Sequence, residues 1–130
     1  MTYRGPDPDQ FLDVRNHGFV RVAVAVPRVH LSNPRKNVVS HLKEIEDLYL
    51  DHGAYYILCP ELGLTGYSCG DLFLSEMLQT SALKELGYLI EKTKNWSVMV
   101  TVGLPIMVDD MLFNVAVTFH AGEILAVAPK

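Results

Sequence analysis

The chain has 130 residues, 49% of them hydrophobic, and a formal net charge of -4. That length suits one small domain or part of a larger one, and the apolar fraction is enough for a core, which excludes a disordered polymer. The 11 Lys and Arg residues are scattered, so there is no basic footprint for nucleic acid, and no stretch approaches the ~20 apolar residues that span a bilayer.

Two cysteines, Cys59 and Cys69, form neither a CxxC motif nor a secreted disulfide framework, which points to a reducing compartment. The polar start, without a basic region followed by an apolar one, is not a signal peptide. A soluble, cytoplasmic protein with no nucleic-acid and no membrane partner is expected.

Residues 1–16 read as a loose leader. The run 20–26, Val-Arg-Val-Ala-Val-Ala-Val, then predicts a strand with valines on one face and Ala23 and Ala25 on the other; both faces are mostly apolar, so a central strand is expected. Pro27 closes it. Ser32-Asn33-Pro34 supplies a capping side chain and a proline at the first helical position, where its missing N–H costs nothing. The helix that follows puts Val38, Leu42, Ile45 and Tyr49 on one stripe, with Leu48 beside it and Lys43, Glu44, Glu46 and Asp47 toward solvent. Gly53 ends that helix, and residues 54–59 resume a strand, completing a β-α-β unit with a right-handed crossover.

After a polar loop, residues 72–94 predict a second amphipathic helix carrying Leu78, Ala82, Leu86 and Leu89 on one face, weakened at Gly87 by ~1 kcal/mol relative to alanine. Residues 97–102 read as a third buried strand running into a Gly103-Leu104-Pro105 turn. The last third holds strand-like runs at 106–108, 112–119 and 124–128, separated only by Asp109-Asp110 and Ala121-Gly122, which makes hairpins rather than crossovers. The expected class is therefore α/β, with a mixed sheet that is parallel early and antiparallel late. A sequence stopping at Ala128-Pro129-Lys130, on a predicted strand, is read as truncated at Lys130; a short edge strand at a true C-terminus is the other reading.

Glu61 lies where the second strand ends, and in open α/β sheets ligands bind at that end of the strands. A carboxylate among apolar residues must be paired or hydrogen-bonded, or its pKa rises, so Glu61 is a candidate for proton transfer; the bland reading is a solvated turn residue. Lys130 follows its apolar run as Glu61 follows its own, so the two charges can meet. A proton acceptor and an ammonium that steadies an oxyanion are two parts of an amide-hydrolysing site, with the nucleophile missing. Cys69 could be that nucleophile or simply a small loop residue, whereas Cys59 reads as core. Tyr67 either lines a substrate pocket beside Glu61 or packs on the loop. The five histidines never fall at metal-ligating spacing and read as solvated or locally bonded, Asp109-Asp110 reads as a hairpin tip, and no glycine-rich phosphate loop is present.

The run 60–67, Pro-Glu-Leu-Gly-Leu-Thr-Gly-Tyr, resembles the first motif of the nitrilase, or carbon–nitrogen hydrolase, superfamily, and Ala128-Pro129-Lys130 resembles the start of its lysine motif. Within that superfamily, residues 17–23 and 67–73 are similar to the amino-terminal glutaminase domain of the glutamine-dependent NAD synthetases. The resemblance runs from about residue 15 to the end and implies half of a nitrilase-like α-β-β-α sandwich, with residues 17–130 an incomplete amino-terminal part of a glutaminase domain. It implies Glu61 as general base and acid and Lys130 as stabiliser of the tetrahedral intermediate. The family's nucleophilic cysteine comes after the lysine motif, a context that neither Cys59 nor Cys69 occupies. It further implies L-glutamine as the parent protein's substrate, ammonia passed to its own synthetase domain, ATP and Mg bound only in that domain, no cofactor in this chain, and a homo-oligomer. Without a nucleophile the 130-residue chain is expected to be inactive alone. The alternatives are part of a stand-alone amidase of the superfamily and a non-catalytic α/β assembly module.

Overall fold

The computed structural model describes residues 12–130. The first part of the expected leader, residues 1–11, lies outside the described residues. Its end is a short 3-10 turn, Val14–His17, capped by the Asp13 side chain.

Five strands, β1 (Val22–Val24), β2 (Tyr56–Leu58), β3 (Met99–Val108), β4 (Met111–His120) and β5 (Glu123–Pro129), form one sheet in the order β1-β2-β3-β4-β5. The first three run parallel, and β3–β4 and β4–β5 are antiparallel pairs, as expected for a crossover unit followed by tight hairpins. Both hairpin links are two-residue turns in the left-handed region: Asp109 and Asp110 at φ 47° and 61°, Ala121 and Gly122 at 49° and 85°. Two reversals leave β5 running in the same sense as β2, so their carboxyl ends lie along the same edge of the sheet.

Helix α1 (Pro34–Leu50) connects β1 to β2, and α2 (Glu76–Thr93) connects β2 to β3. Asn33 caps α1 by accepting from the Lys36 N–H at 3.1 Å, and Pro34 opens it. Both helices contribute to one core: Val38 and Ile45 from α1 and Ala82, Leu86 and Leu89 from α2 join Ile57, Val100, Val102, Leu104, Val117 and Phe119 of the sheet. Each buried side chain of this size is worth about 1.5–3 kcal/mol of transfer free energy.

Three expectations about elements are corrected. The first strand is an edge strand among the described residues, not a central one. Ala25 is buried in the core, but Val22 and Val24 are 63% and 72% exposed on the opposite, open face. The alternation of valine and alanine marked two apolar faces without telling which was covered. The single helix expected over 72–94 is divided: a 3-10 turn, Gly70–Leu74, is followed by α2, with Ser75 extended between them. Finally, Gly103-Leu104-Pro105 is no turn, because β3 runs through it without a break.

The reason for the last correction is in the hydrogen bonding. Met99 donates its N–H to Tyr55 O, while Thr101 O and Gly103 O accept from Cys59 and Leu64, so the odd-numbered peptide groups of β3 turn toward β2. Pro105 continues that alternation beyond Thr101, the last β3 residue that pairs with β2. Its missing N–H therefore interrupts no ladder.

Candidate active site

Residues 60–66 leave β2 in a series of tight turns: Gly63 N–H to Pro60 O at 3.1 Å, Thr65 N–H to Leu62 O at 3.1 Å and Gly66 N–H to Leu62 O at 2.7 Å. Leu62 takes a left-handed φ of 52° inside this loop. Two neighbours hold the loop. Leu64 N–H donates to Gly103 O at 3.1 Å, and the buried Asn37 amide of α1 donates to both Leu64 O and His30 O while its Oδ1 accepts from His30 N–H.

Gly103 sets how closely the loop lies on the sheet. A Cβ built there would stand 2.4 Å from Leu62 N and 2.9 Å from both Glu61 Cα and Pro60 O, all backbone atoms. An in-strand glycine marks such a close approach. The loop can therefore lie over β3 on the open face and lean toward β4 and β5, where Asn114 and Lys130 face the same way. Gly63 does the same toward α1, where its hydrogen-side faces the His41 ring, with Nε2 only 2.8 Å from a notional Cβ.

The outcome is a small polar cluster. Lys130 Nζ lies 2.8 Å from Glu61 Oε1, and Asn114 Nδ2 donates to the same oxygen at 2.5 Å. Glu61 and Lys130 are 69 positions apart in the sequence; the shared sense of β2 and β5 brings them together. The cluster stands at the rim of a largely apolar cavity of about 400 Å³ that Leu58, Thr101, Ala116 and Ala128 help to line. A chain of hydroxyls, Tyr56 Oη to Thr101 Oγ1 at 3.0 Å and on to Thr118 Oγ1 at 2.7 Å, crosses the same face of the sheet.

The charges reinforce each other. Hydrogen bonds from Lys130 and then Asn114 hold the Glu61 carboxyl below its ordinary range, and Glu61 in turn raises the Lys130 ammonium, with a smaller contribution from Tyr67. Of the two courses open to a carboxylate among apolar residues, pairing or a raised pKa, Glu61 takes the first. The Glu61 side chain is 41% exposed and satisfied by partners, so its pKa falls.

Tyr67 is 67% exposed and is not among the residues lining the cavity beside Glu61. Cys69 is buried, its thiol shared among Thr65 O at 3.2 Å, Gly66 O at 3.3 Å and Ser32 Oγ at 3.3 Å, which makes it a loop fastener with no bond to Glu61. Cys59 is buried in the core, and burial pushes its thiol up to about 12. Among the histidines, His41 departs most from a solvated reading: it is fully buried, with Nδ1 2.7 Å from Asn37 O and Nε2 unpartnered. Among the described residues, no group of three or more His, Cys, Asp or Glu side chains could hold a metal ion, and no helix is long and apolar enough to cross a membrane.

Sequence reasoning missed Asn114, Asn37, His41 and the strand role of Gly103. Asn114 lies within the alternating run 112–119, and its place opposite Lys130 could be found only by aligning the two hairpins, since Asn114 O accepts the Lys130 N–H at 2.9 Å.

No protein-family model matches the chain. It is 32% identical over 120 residues to the glutamine-dependent NAD(+) synthetase of Mycobacterium tuberculosis, which covers 92% of this chain and 18% of that protein. The human glutamine-dependent NAD(+) synthetase is 32% identical over 94 residues, 72% of this chain and 13% of its own length. The chain thus spans less than a fifth of the curated relatives it matches. Among solved structures, a glutamine-dependent NAD(+) synthetase from Cytophaga hutchinsonii superposes with a TM-score of 0.79 at 23% identity, covering 85% of this chain and 19% of that one. A carbon–nitrogen hydrolase from Helicobacter pylori G27 superposes with a TM-score of 0.63 at 18% identity, covering 82% and 38%. At these identities the structural likeness speaks for the fold, and the sequence matches carry the kinship. The chain is a homologue of the glutamine-dependent NAD(+) synthetases, folded as an α/β half of the nitrilase-like, carbon–nitrogen hydrolase type.

Proposed function

We propose that residues 17–130 belong to the amino-terminal glutaminase domain of a glutamine-dependent NAD synthetase and contribute Glu61 and Lys130 to the hydrolysis of the glutamine side-chain amide. The observation that carries this reading is the Glu61–Lys130 pair at 2.8 Å, formed at one sheet edge by the two motifs that resemble those of the superfamily. The depressed Glu61 carboxyl is ionised at neutral pH and able to take a proton, and the raised Lys130 ammonium keeps its charge.

On this reading a cysteine outside the 130 residues is the nucleophile. Its sulfur attacks the amide carbon while Glu61 takes the thiol proton, and Lys130 steadies the oxyanion that forms. As the C–N bond breaks, Glu61 returns that proton to the nitrogen, which leaves as ammonia. Water then attacks the thioester, giving glutamate and the free thiol. Tyr67, exposed on the same loop but outside the residues that line the cavity, is the proposed substrate contact at its approach. Ammonia is consumed in the protein's own synthetase domain, the part that uses ATP and Mg; no cofactor acts in these residues. The whole works in the cytoplasm as a homo-oligomer.

The test is ammonia release from L-glutamine by the full-length protein. Glu61→Gln should lower turnover by about a hundred- to ten-thousand-fold, and the 130-residue chain alone should be inactive. Glutamine hydrolysis untouched by Glu61→Gln refutes the assignment, and hydrolysis of other small amides but not glutamine replaces it with a stand-alone amidase.

A further inference from the structure

We propose that Asn114 is a positioning residue of this site, fixing Glu61 through one carboxylate oxygen, Oε1, so that the other oxygen, Oε2, is the one that exchanges the proton. The inference rests on the glutaminase reading and adds a residue and an atom to it. Asn114 Nδ2 and Lys130 Nζ both reach Oε1, at 2.5 Å and 2.8 Å, and Oε2 has no hydrogen-bond partner among the described residues. An oxygen that already accepts two hydrogen bonds, one from an ammonium, is the less basic of the two, because those bonds favour its charged form.

Asn114 also holds the other member of the pair. Its backbone carbonyl accepts the Lys130 N–H at 2.9 Å while its side chain reaches Glu61, so one residue of β4 sets the position of both charges. The chemistry suits an amide. A neutral donor orients the carboxylate without adding a second positive charge that would compete with Lys130. Glu61 needs such a tie because it sits on a loop, is 41% exposed, and has a terminal carboxyl torsion with only a broad preference of its own.

In the hydrolysis Oε2 receives the thiol proton as sulfur attacks the amide carbon and gives it to the nitrogen as the C–N bond breaks. The carboxylate is restored, and the Asn114 amide keeps both its protons throughout. The titratable groups around Glu61 are few. Lys130 faces it from β5, Tyr67 follows it in the loop and is felt by Lys130, and the Cys59 thiol at the end of β2 is held up at about 12. Beside the cavity β3 presents Thr101 and Gly103, which do not titrate in the working range.

The experiment compares Asn114→Ala, Asn114→Gln and the isosteric Asn114→Asp by two readouts. The first is the carboxyl titration of Glu61 followed by carbon NMR in the full-length protein. The second is glutamine turnover by the full-length protein as a function of pH. Asn114→Ala should move the Glu61 midpoint upward, lower kcat about tenfold to a hundredfold with KM nearly unchanged, and shift the acid limb of the kcat profile to higher pH. Asn114→Asp should move the midpoint further up, since a second carboxylate then faces the first, and Asn114→Gln should recover part of the loss by keeping the donor. A Glu61 midpoint unmoved in both the Ala and Asp variants overturns the proposal, as does an unchanged kcat. If the wild-type full-length protein releases no ammonia from glutamine, the glutaminase reading falls and the positioning role with it, and the titration alone then decides whether the Asn114–Glu61 contact exists.

Discussion

Replacing Gly103 by alanine tests the idea that the sheet sets the position of Glu61 through the absence of one side chain. The new Cβ would lie 2.4 Å from Leu62 N and 2.9 Å from Glu61 Cα and Pro60 O. Ordinary contact between such atoms begins near ~3.5 Å, so the loop backbone must retreat by about 1 Å. No flexible side-chain tip can absorb this shift, because the three nearest atoms are all main chain and Leu62 already holds a left-handed φ. Overpacking of this kind costs about 1–3 kcal/mol. Misplacement of a catalytic group by 1 Å costs about a hundredfold in rate. Urea unfolding of the chain should therefore show a lowered midpoint with little change in slope. On the proposed glutaminase reading, glutamine turnover by the full-length protein should fall by about two orders of magnitude, more than the loss of stability accounts for. Unfolding unchanged within ~0.5 kcal/mol, with Glu61 titrating as in wild type, would refute the reasoning.

Burial lowers the pKa of His41, so its stability contribution is complete above the unfolded value of 6.5 and is lost as pH falls from there toward the folded value. Chemical unfolding should show a slope of at most about 1.4 kcal/mol per pH unit from this group below 6.5, and the same measurement on His41→Gln should lose that component. Charges introduced on the open face of β1, in the double variant Val22→Lys with Val24→Lys, should cost less than about 1 kcal/mol and reduce binding of a hydrophobic dye. Ala25→Lys, on the covered face, should prevent cooperative unfolding altogether, and equal effects of the two changes would contradict the layer assignment.

The site was partly legible because two of its members follow apolar strands directly. A charge at a strand end announces itself in a string of letters, and the turn glycines and proline around Glu61 show that the backbone reverses there. Asn114 sits in mid-strand, one polar residue in an alternating run, and alternation alone makes it look like part of a solvent face. Its contact with Glu61 depends on hairpin register, through pairs such as Val115 with Pro129, and on how far the loop leans across β3. The core was similar. Val38, Ile45, Leu78 and Leu86 follow helical spacing and are buried, yet Asn37 and His41 share that buried stripe because the Glu61 loop presents carbonyls and a side-chain-free glycine to them.

By itself, then, the sequence determined the order of elements, the crossover followed by hairpins, and the identity of the two charged residues at the strand ends, because these depend on local periodicity and turn chemistry. Tertiary structure alone decided that the valine face of β1 is uncovered among the described residues, that Gly103 is a strand residue instead of a turn, and that Glu61 is partly exposed and tied by Asn114 as well as Lys130. Each of these turns on which backbone passes against which, a relation between residues far apart in the chain that no local pattern encodes.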